Sequence, residues 1–235
     1  AISDGKDFKI IGHAQDNKRA YNFDEGENTG GIGCTSKPLV ITKQIEKQIG
    51  EIFRKTFSGL SKEGRPYSGI LYLGGMIVGE ENPKVYVIEF NSRWGSPEAE
   101  VVLPGVSNDL FEVSLSVINK NVGKLKIKSD GNYRVAVTAV SRGYPGDYSA
   151  VKGKKIFGIE NASKIKNVTI YGAGVKKENG NYIVSSGRLM HIVGVGKNVI
   201  EARENAYQAM SLLHIEGNNL HYRTDIGWRD VEREY

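Results

Sequence analysis

Cysteine is nearly absent. Cys34 is the only one in 235 residues, which excludes an internal disulfide and a cysteine-based zinc site. Long apolar runs are missing as well. Although 39% of the residues are hydrophobic, no run approaches the roughly 20 residues a helix needs to span a bilayer. The four histidines, His13, His191, His214 and His221, show no metal-ligand spacing, so each is expected to be structural. Ser141 has no Gly-x-Ser-x-Gly context, and nucleophilic serine chemistry finds no support. The opening Ala1-Ile-Ser-Asp-Gly-Lys carries no basic-then-apolar leader. It reads as the tail of a strand entering an Asp4-Gly5 turn, as if cut from within a domain. A cytoplasmic protein with no membrane partner is the expectation.

The charge that is present is mildly positive: 32 basic and 27 acidic residues give +5. That excess suits anionic small substrates. Lysines gather in 120–128 and 152–166, but Ser, Gly and apolar residues interrupt them and no arginine-aromatic platform accompanies them. A solvated surface is expected there and no nucleic-acid partner. The length allows one large domain or two small ones.

Along the chain, residues 7–13 predict a short strand. Residues 14–38, rich in Gly, Asn, Asp and Lys, predict a long loop, which at that length is usually functional or disordered. Ile41, Ile45, Ile49, Ile52, Phe53 and Phe57 recur at helical spacing within 39–60. Strands over 67–78 and 84–90, joined by Gly79-Glu-Glu-Asn-Pro83, read as a hairpin, and 91–98 as a loop. A helix is expected over 109–119, with Leu110, Val113, Leu115 and Ile118 on its apolar side. The lysine- and glycine-rich 120–131 make the best boundary. Beyond it, 133–140, 168–175, 181–184, 188–195 and 220–223 predict strands. A helix over 200–213 is capped by Asn198. This half is α+β with mostly antiparallel pairing.

Three features could carry chemistry. Glu89 and Asn91 close a strand two residues apart and therefore share a side. A carboxylate with an amide oxygen suits Mg²⁺ that takes its other ligands from phosphate, although the same pattern also serves as ordinary surface polarity. Asn28-Thr29-Gly30-Gly31-Ile32-Gly33 has glycines whose N–H groups could converge on an anion, or it is a flexible turn. Its spacing matches neither a Walker loop nor a dinucleotide fingerprint. Asp16-Asn17-Lys18-Arg19 places two cations together, to neutralise phosphate or to face solvent. Arg93 could fork onto a substrate carboxylate.

Taken in order, Ala14-Gln-Asp-Asn-Lys-Arg-Ala-Tyr21, Asn28–Gly33, Gly64-Arg-Pro-Tyr-Ser-Gly-Ile-Leu-Tyr72 and Ile88-Glu-Phe-Asn-Ser-Arg-Trp-Gly-Ser-Pro-Glu98 resemble the phosphoribosylamine–glycine ligase family. The likeness continues through Gly143-Tyr-Pro-Gly146, Ser186-Gly-Arg188, Glu201–Tyr207 and Arg223-Thr-Asp-Ile-Gly-Trp228. It implies an ATP-grasp fold, here as the later part of that domain (its C-terminal lobe) over 1–122 and an α+β C-terminal domain over 123–235. The N-terminal part of the ligase is missing and would be a partner. The implied reaction uses ATP as substrate. Glycine's carboxylate attacks the γ-phosphate, and the amine of 5-phosphoribosylamine then displaces phosphate from the acyl phosphate.

By the same resemblance, Glu89 and Asn91 match ligands of Mg²⁺ or Mn²⁺. Lys18, Arg19 and Arg93 match segments around the reacting groups, where their charge implies a catalytic role. Asp16, Asn28, Thr29, Gly30, Gly31, Gly33 and Ser96 would bind substrate. The chain departs from the family pattern at Asn17, where His is usual, and at Ser96, where Asp is usual. Trp94 for Phe and Ile32 for Met exchange apolar residues. Ser96 motivates an alternative ligase for another carboxylate. A further alternative is a non-catalytic fragment that binds a partner domain.

Overall fold

The computed structural model describes residues 1–235. Its first strands are β1 (Ile2–Asp4), β2 (Phe8–Lys9), β3 (Ala14–Tyr21), β4 (Glu25–Ser36), β5 (Ser68–Ile70), β6 (Tyr72–Val78) and β7 (Lys84–Asn91). After them come β8 (Tyr133–Ser141), β9 (Lys155–Phe157), β10 (Val168–Gly172), β11 (Val175–Glu178), β12 (Asn181–Val184), β13 (Arg188–Gly196), β14 (His214–Ile215) and β15 (Leu220–His221). The helices are α1 (Lys43–Lys62), α2 (Glu98–Val102), α3 (Leu110–Ile118), α4 (Ile159–Ala162), α5 (Val199–Met210) and α6 (Trp228–Glu234). Two compact units result. One comprises Ala1–His13, Pro38–Gly95 and Val102–Asp130; the other comprises Ala14–Lys37, Ser96–Val101 and Gly131–Tyr235. The expected division after residue 122 places Ala14–Lys37 and Ser96–Val101 with the first domain, whereas in three dimensions they pack with the second.

In the first unit, α1 is an amphipathic helix. Thr42 caps it by accepting the Ile45 N–H, and Ile45, Ile49, Phe53 and Phe57 are its buried face. Phe8 stacks obliquely on Phe57 at 5.2 Å between centroids. The helix runs from Lys43 to Lys62, two residues past the end of the expected 39–60. The small sheet β2-β1-β5 and the hairpin β6-β7 complete this unit. Helix α3 corrects the expected apolar side: Leu110 and Ile118 are 44% and 73% exposed, and Val113 is the buried residue.

The second unit is built on a sheet ordered β10-β13-β8-β4-β3, to which β15 adds by pairing with β8. Helix α5 lies on it, capped by Asn198, whose Oδ1 accepts the Glu201 N–H at 2.8 Å. A Cβ on Gly194 would sit 2.1 Å from the Ala202 carbonyl oxygen, so this glycine lets helix and sheet meet closely. A second sheet is ordered β11-β12-β9-β14. The single strand expected over 168–175 is broken into β10 and the start of β11.

The largest difference from expectation is residues 14–38. They form an antiparallel pair, β3 and β4, with β4 wedged between β3 and β8. Gly31 through Ser36 are buried. Small residues stand there because neighbours pack directly against the backbone: a Cβ on Gly33 would lie 2.4 Å from Ile226 Cδ1. Ile32 and Cys34, both fully buried, are the only apolar side chains of β4, too few for a strand period to show. That is why its sequence reads as a loop.

Candidate functional site

Glu89, Asn91 and Arg93 belong to the first unit; the other predicted residues belong to the second. On the hairpin, Tyr72 opposes Asn91, Gly74 opposes Glu89 and Met76 opposes Tyr86. Directly opposed residues share a face, so these six line one side. Leu73, Ile77 and Val85 pack on the α1 cluster from the other side. The register shifts between Gly74 and Gly75, leaving Ile88 as an extra residue between Val87 and Glu89. This bulge brings Glu89 and Asn91 to the side of Tyr86; strict alternation from Val85 would have turned them toward α1.

Asn91 Nδ2 donates to Glu89 Oε1 at 2.9 Å. The pair thus leaves Glu89 Oε2 and Asn91 Oδ1 as hard oxygen donors on an open face. No group of three or more His, Cys, Asp or Glu side chains is arranged to hold a metal. The donor set fits a magnesium-type ion with few protein ligands and does not fit a closed protein cage. Arg93 is exposed, and its Nη1 donates to the Trp94 carbonyl at 2.9 Å.

In the second unit, Asp16 is bridged by Lys18 at 2.6 Å. Burial, and then the nearby Glu98 carboxylate, push the Asp16 carboxyl up to about 6. Glu100 is also raised by burial, and the Cys34 thiol is pushed well up by burial and by these carboxylates. Lys18 and Arg19 are exposed. Arg19 offers its carbonyl to Arg223 Nη1 at 3.1 Å.

The predicted glycine loop is a strand, and its N–H groups do not converge. The Gly30 N–H donates to Tyr144 Oη at 3.0 Å and the Gly31 N–H to Thr29 Oγ1 at 3.0 Å, while Gly33 sits in the ladder opposite Val137. Thr29 Oγ1 in turn donates to the Lys18 carbonyl at 2.8 Å. Asn28 is exposed and opposes Arg19. Asn17 is buried and donates to the Gly33 carbonyl at 3.3 Å, which gives it a structural task. The Ser96 carbonyl accepts from Arg188 Nη1 at 2.9 Å.

Sequence reasoning gave no role in the chemistry to Glu98, Glu100, Tyr144 or Arg188. The first two follow Ser96-Pro97, and Tyr144 and Arg188 lie inside the Gly143–Gly146 and Ser186–Arg188 motifs, which were the available signals. His191 is expected to be structural and is buried, with Nδ1 at 3.0 Å from Thr138 Oγ1. Its Nε2 lies 3.8 Å from Glu100 Oε1. Burial, helped by the Arg188 charge, lowers His191 to about 4. The ring therefore faces Glu100 as a neutral imidazole near neutral pH.

The mixed α+β arrangement with its antiparallel sheets is an ATP-grasp fold. The Rhizobium etli pyruvate carboxylase structure shares it at a TM-score of 0.61 and 10% identity, over 96% of this chain and 21% of that one. So does the biotin carboxylase domain of Hydrogenobacter thermophilus 2-oxoglutarate carboxylase, solved with MgADP and bicarbonate (TM-score 0.56, 12% identity, 90% of this chain, 43% of that one). Residues 1–99 match the phosphoribosylglycinamide synthetase ATP-grasp (A) domain and residues 134–229 the C domain of the same synthetase. The chain belongs to the phosphoribosylglycinamide synthetase family.

Among its relatives, the phosphoribosylamine–glycine ligase of Thermotoga maritima superposes with a TM-score of 0.78 at 34% identity, over 94% of this chain and 52% of that one. The Caldanaerobacter subterraneus ligase is 37% identical over 96% of this chain and 52% of its own length. The trifunctional purine biosynthetic protein adenosine-3 of Gallus gallus is 36% identical over 98% of this chain and 22% of its own length. The chain therefore spans about half the length of the bacterial ligases it matches.

Proposed function

We propose that the chain supplies the later part of the ATP-grasp domain and the C-terminal domain, at 1–122 and 123–235, of a ligase that joins glycine to 5-phosphoribosylamine. The products are glycinamide ribonucleotide, ADP and phosphate, and the setting is cytoplasmic. The observation that carries this reading is the Glu89–Asn91 pair, hydrogen-bonded at 2.9 Å on the open face of the hairpin. A divalent cation held there, Mg²⁺ or Mn²⁺, would offset the charge that builds as glycine's carboxylate approaches ATP.

The chain's own residues do the rest by charge and position. Arg93, on the segment that follows Asn91, orients a carboxylate with the guanidinium edge left free by its bond to Trp94. Arg19 and Lys18 offset phosphate charge. Asp16, with its carboxyl pushed up to about 6, takes the proton of the attacking amine near neutral pH. Thr29, the carbonyls of Gly30 and Gly31, and Ser96 with Asn28 shape the substrate's seat. Gly33 contributes by letting Ile226 pack. Met76 and Tyr86 give an apolar wall beside the metal pair, 56% and 54% exposed. The remaining part of the ligase supplies the other nucleotide contacts.

The test is complementation. The chain is combined with the missing portion of a family member, and ADP release is measured. Release that requires both glycine and 5-phosphoribosylamine is the expected result; release without glycine dependence refutes the substrate assignment.

A further inference from the structure

We infer that Arg188 is a positioning residue for the ligase reaction, locking the Gly30–Gly31 step of β4 to the Ser96 turn, with Tyr144 as the second support. This rests on the ligase reading above for its consequence in catalysis, though not for the lock itself.

Arg188 opens β13 opposite Val140, and the register shifts before Met190, so Leu189 is an extra, fully buried residue. A bulge of this kind re-aims the side chain next to it. Arg188 Nη1 consequently donates to the Gly30 carbonyl at 2.7 Å and the Ser96 carbonyl at 2.9 Å, with the Gly31 carbonyl at 3.4 Å. These are charge-assisted bonds to carbonyls 158 and 92 residues away in sequence. Tyr144 Oη accepts the Gly30 N–H, so one residue of β4 is held through both of its backbone groups. The Tyr144 ring is seated by Gly187, where a Cβ would come within 2.3 Å of it.

The glycines make this contact possible. A Cβ on Gly30 would lie 3.2 Å from Arg188 Cζ and 3.3 Å from Tyr144 Oη. On Gly31, at φ +109°, it would lie 2.6 Å from Pro97 Cδ and 3.0 Å from Asp16 Oδ1. The backbone is thus held between Arg188 and Tyr144 at one residue and between Asp16 and Pro97 at the next. Any displacement of the Gly30–Gly31 step moves Asp16 or Ser96 with it. Lysine cannot replace the arrangement, because a point charge on a flexible stem lacks the planar guanidinium's fixed donor directions.

The test begins with amide hydrogen exchange on the chain itself, comparing Arg188→Lys and Arg188→Met with the parent. Exchange at Gly30 and Gly31 is expected to accelerate at least about tenfold, the scale of a lost bond to a charged group. Val137 and Ile192, in the sheet core, should stay unchanged. Unchanged exchange at Gly30 and Gly31 overturns the proposal, as does a uniform rise across the sheet, which would mark a purely structural role. Should the Arg188 variants fail to fold, Tyr144→Phe removes the acceptor alone, and faster exchange confined to Gly30 is the supporting outcome. In the reconstituted ligase, Arg188→Lys should lower kcat at least about tenfold while the KM for ATP is unchanged. An unchanged kcat overturns the catalytic consequence. If the parent itself shows no glycine-dependent ADP release, the ligase reading fails while the exchange result still decides the lock.

Discussion

Glu89 and Asn91, two residues apart on β7, share a face of the β6-β7 hairpin and are hydrogen-bonded at 2.9 Å; the extra residue Ile88 before them turns that face away from α1. Two oxygens are left free for a cation, one anionic and one neutral.

Removing the charge without changing the shape tests that pair. In the reconstituted ligase, Glu89→Gln should raise the metal concentration for half-maximal ADP release at least about tenfold, the loss seen even for groups that merely support metal ligands. Titration of activity with Mg²⁺ and with Mn²⁺ measures it. Unaltered metal dependence would remove Glu89 as a ligand.

Asp16 predicts an acid limb in the pH–rate profile. A base must be unprotonated to act, so with a carboxyl pushed up to about 6 turnover should fall as pH drops through about 6. Asp16→Asn should abolish that limb together with most activity. A profile that keeps its limb in the variant assigns the titration elsewhere.

His191 makes a separate prediction about stability. Unfolded, the ring titrates near 6.5, whereas burial holds the folded ring at about 4. Between those values unfolding takes up a proton, so stability is full above 6.5 and declines as pH falls toward 4. The loss reaches up to about 3 kcal/mol from this group. Denaturant unfolding between pH 7 and pH 4 should show a shallower decline in His191→Gln.

Gly33 separates packing from ligand binding. Its Cβ would press on Ile226 at 2.4 Å, so Gly33→Ala should cost about 1–3 kcal/mol by overpacking. Ile226→Val in the same chain should restore part of it, and thermal unfolding of the single and double variants checks the coupling. Strictly additive losses would contradict the contact.

Arg223 ties the β3-β4 turn to the C-terminal segment. Fully buried, it forks onto Asp225 at 2.8 and 2.7 Å and donates to Asp24 at 2.8 Å. Asp225 Oδ2 accepts the Phe23 N–H at 2.8 Å, which steadies a turn where Phe23 and Asp24 both stand at φ 58°. Arg223→Met leaves Asp225 without its counter-charge, while Asp24 keeps its ion pair with Arg229, and should destabilise by about 3–5 kcal/mol, read from chemical unfolding.

Much of this fold was legible from short-range pattern. The apolar spacing of Ile45, Ile49, Phe53 and Phe57, the Asn198 cap and the hydrophobic runs of β8 and β13 each state their structure within a few residues, because helix and strand periods are local. The motif order from Gln15 to Trp228 likewise sufficed for the family. Other features lie beyond local pattern. That 14–38 forms strands depends on β8 and Ile226 packing against a β4 whose own apolar side chains are only Ile32 and Cys34. The face presented by Glu89 depends on one unpaired residue. Arg188 reaches Gly30 only because β13 bulges where it passes β8. In each case the deciding contact joins residues distant in sequence or turns on a register shift, and neither leaves a period in the chain.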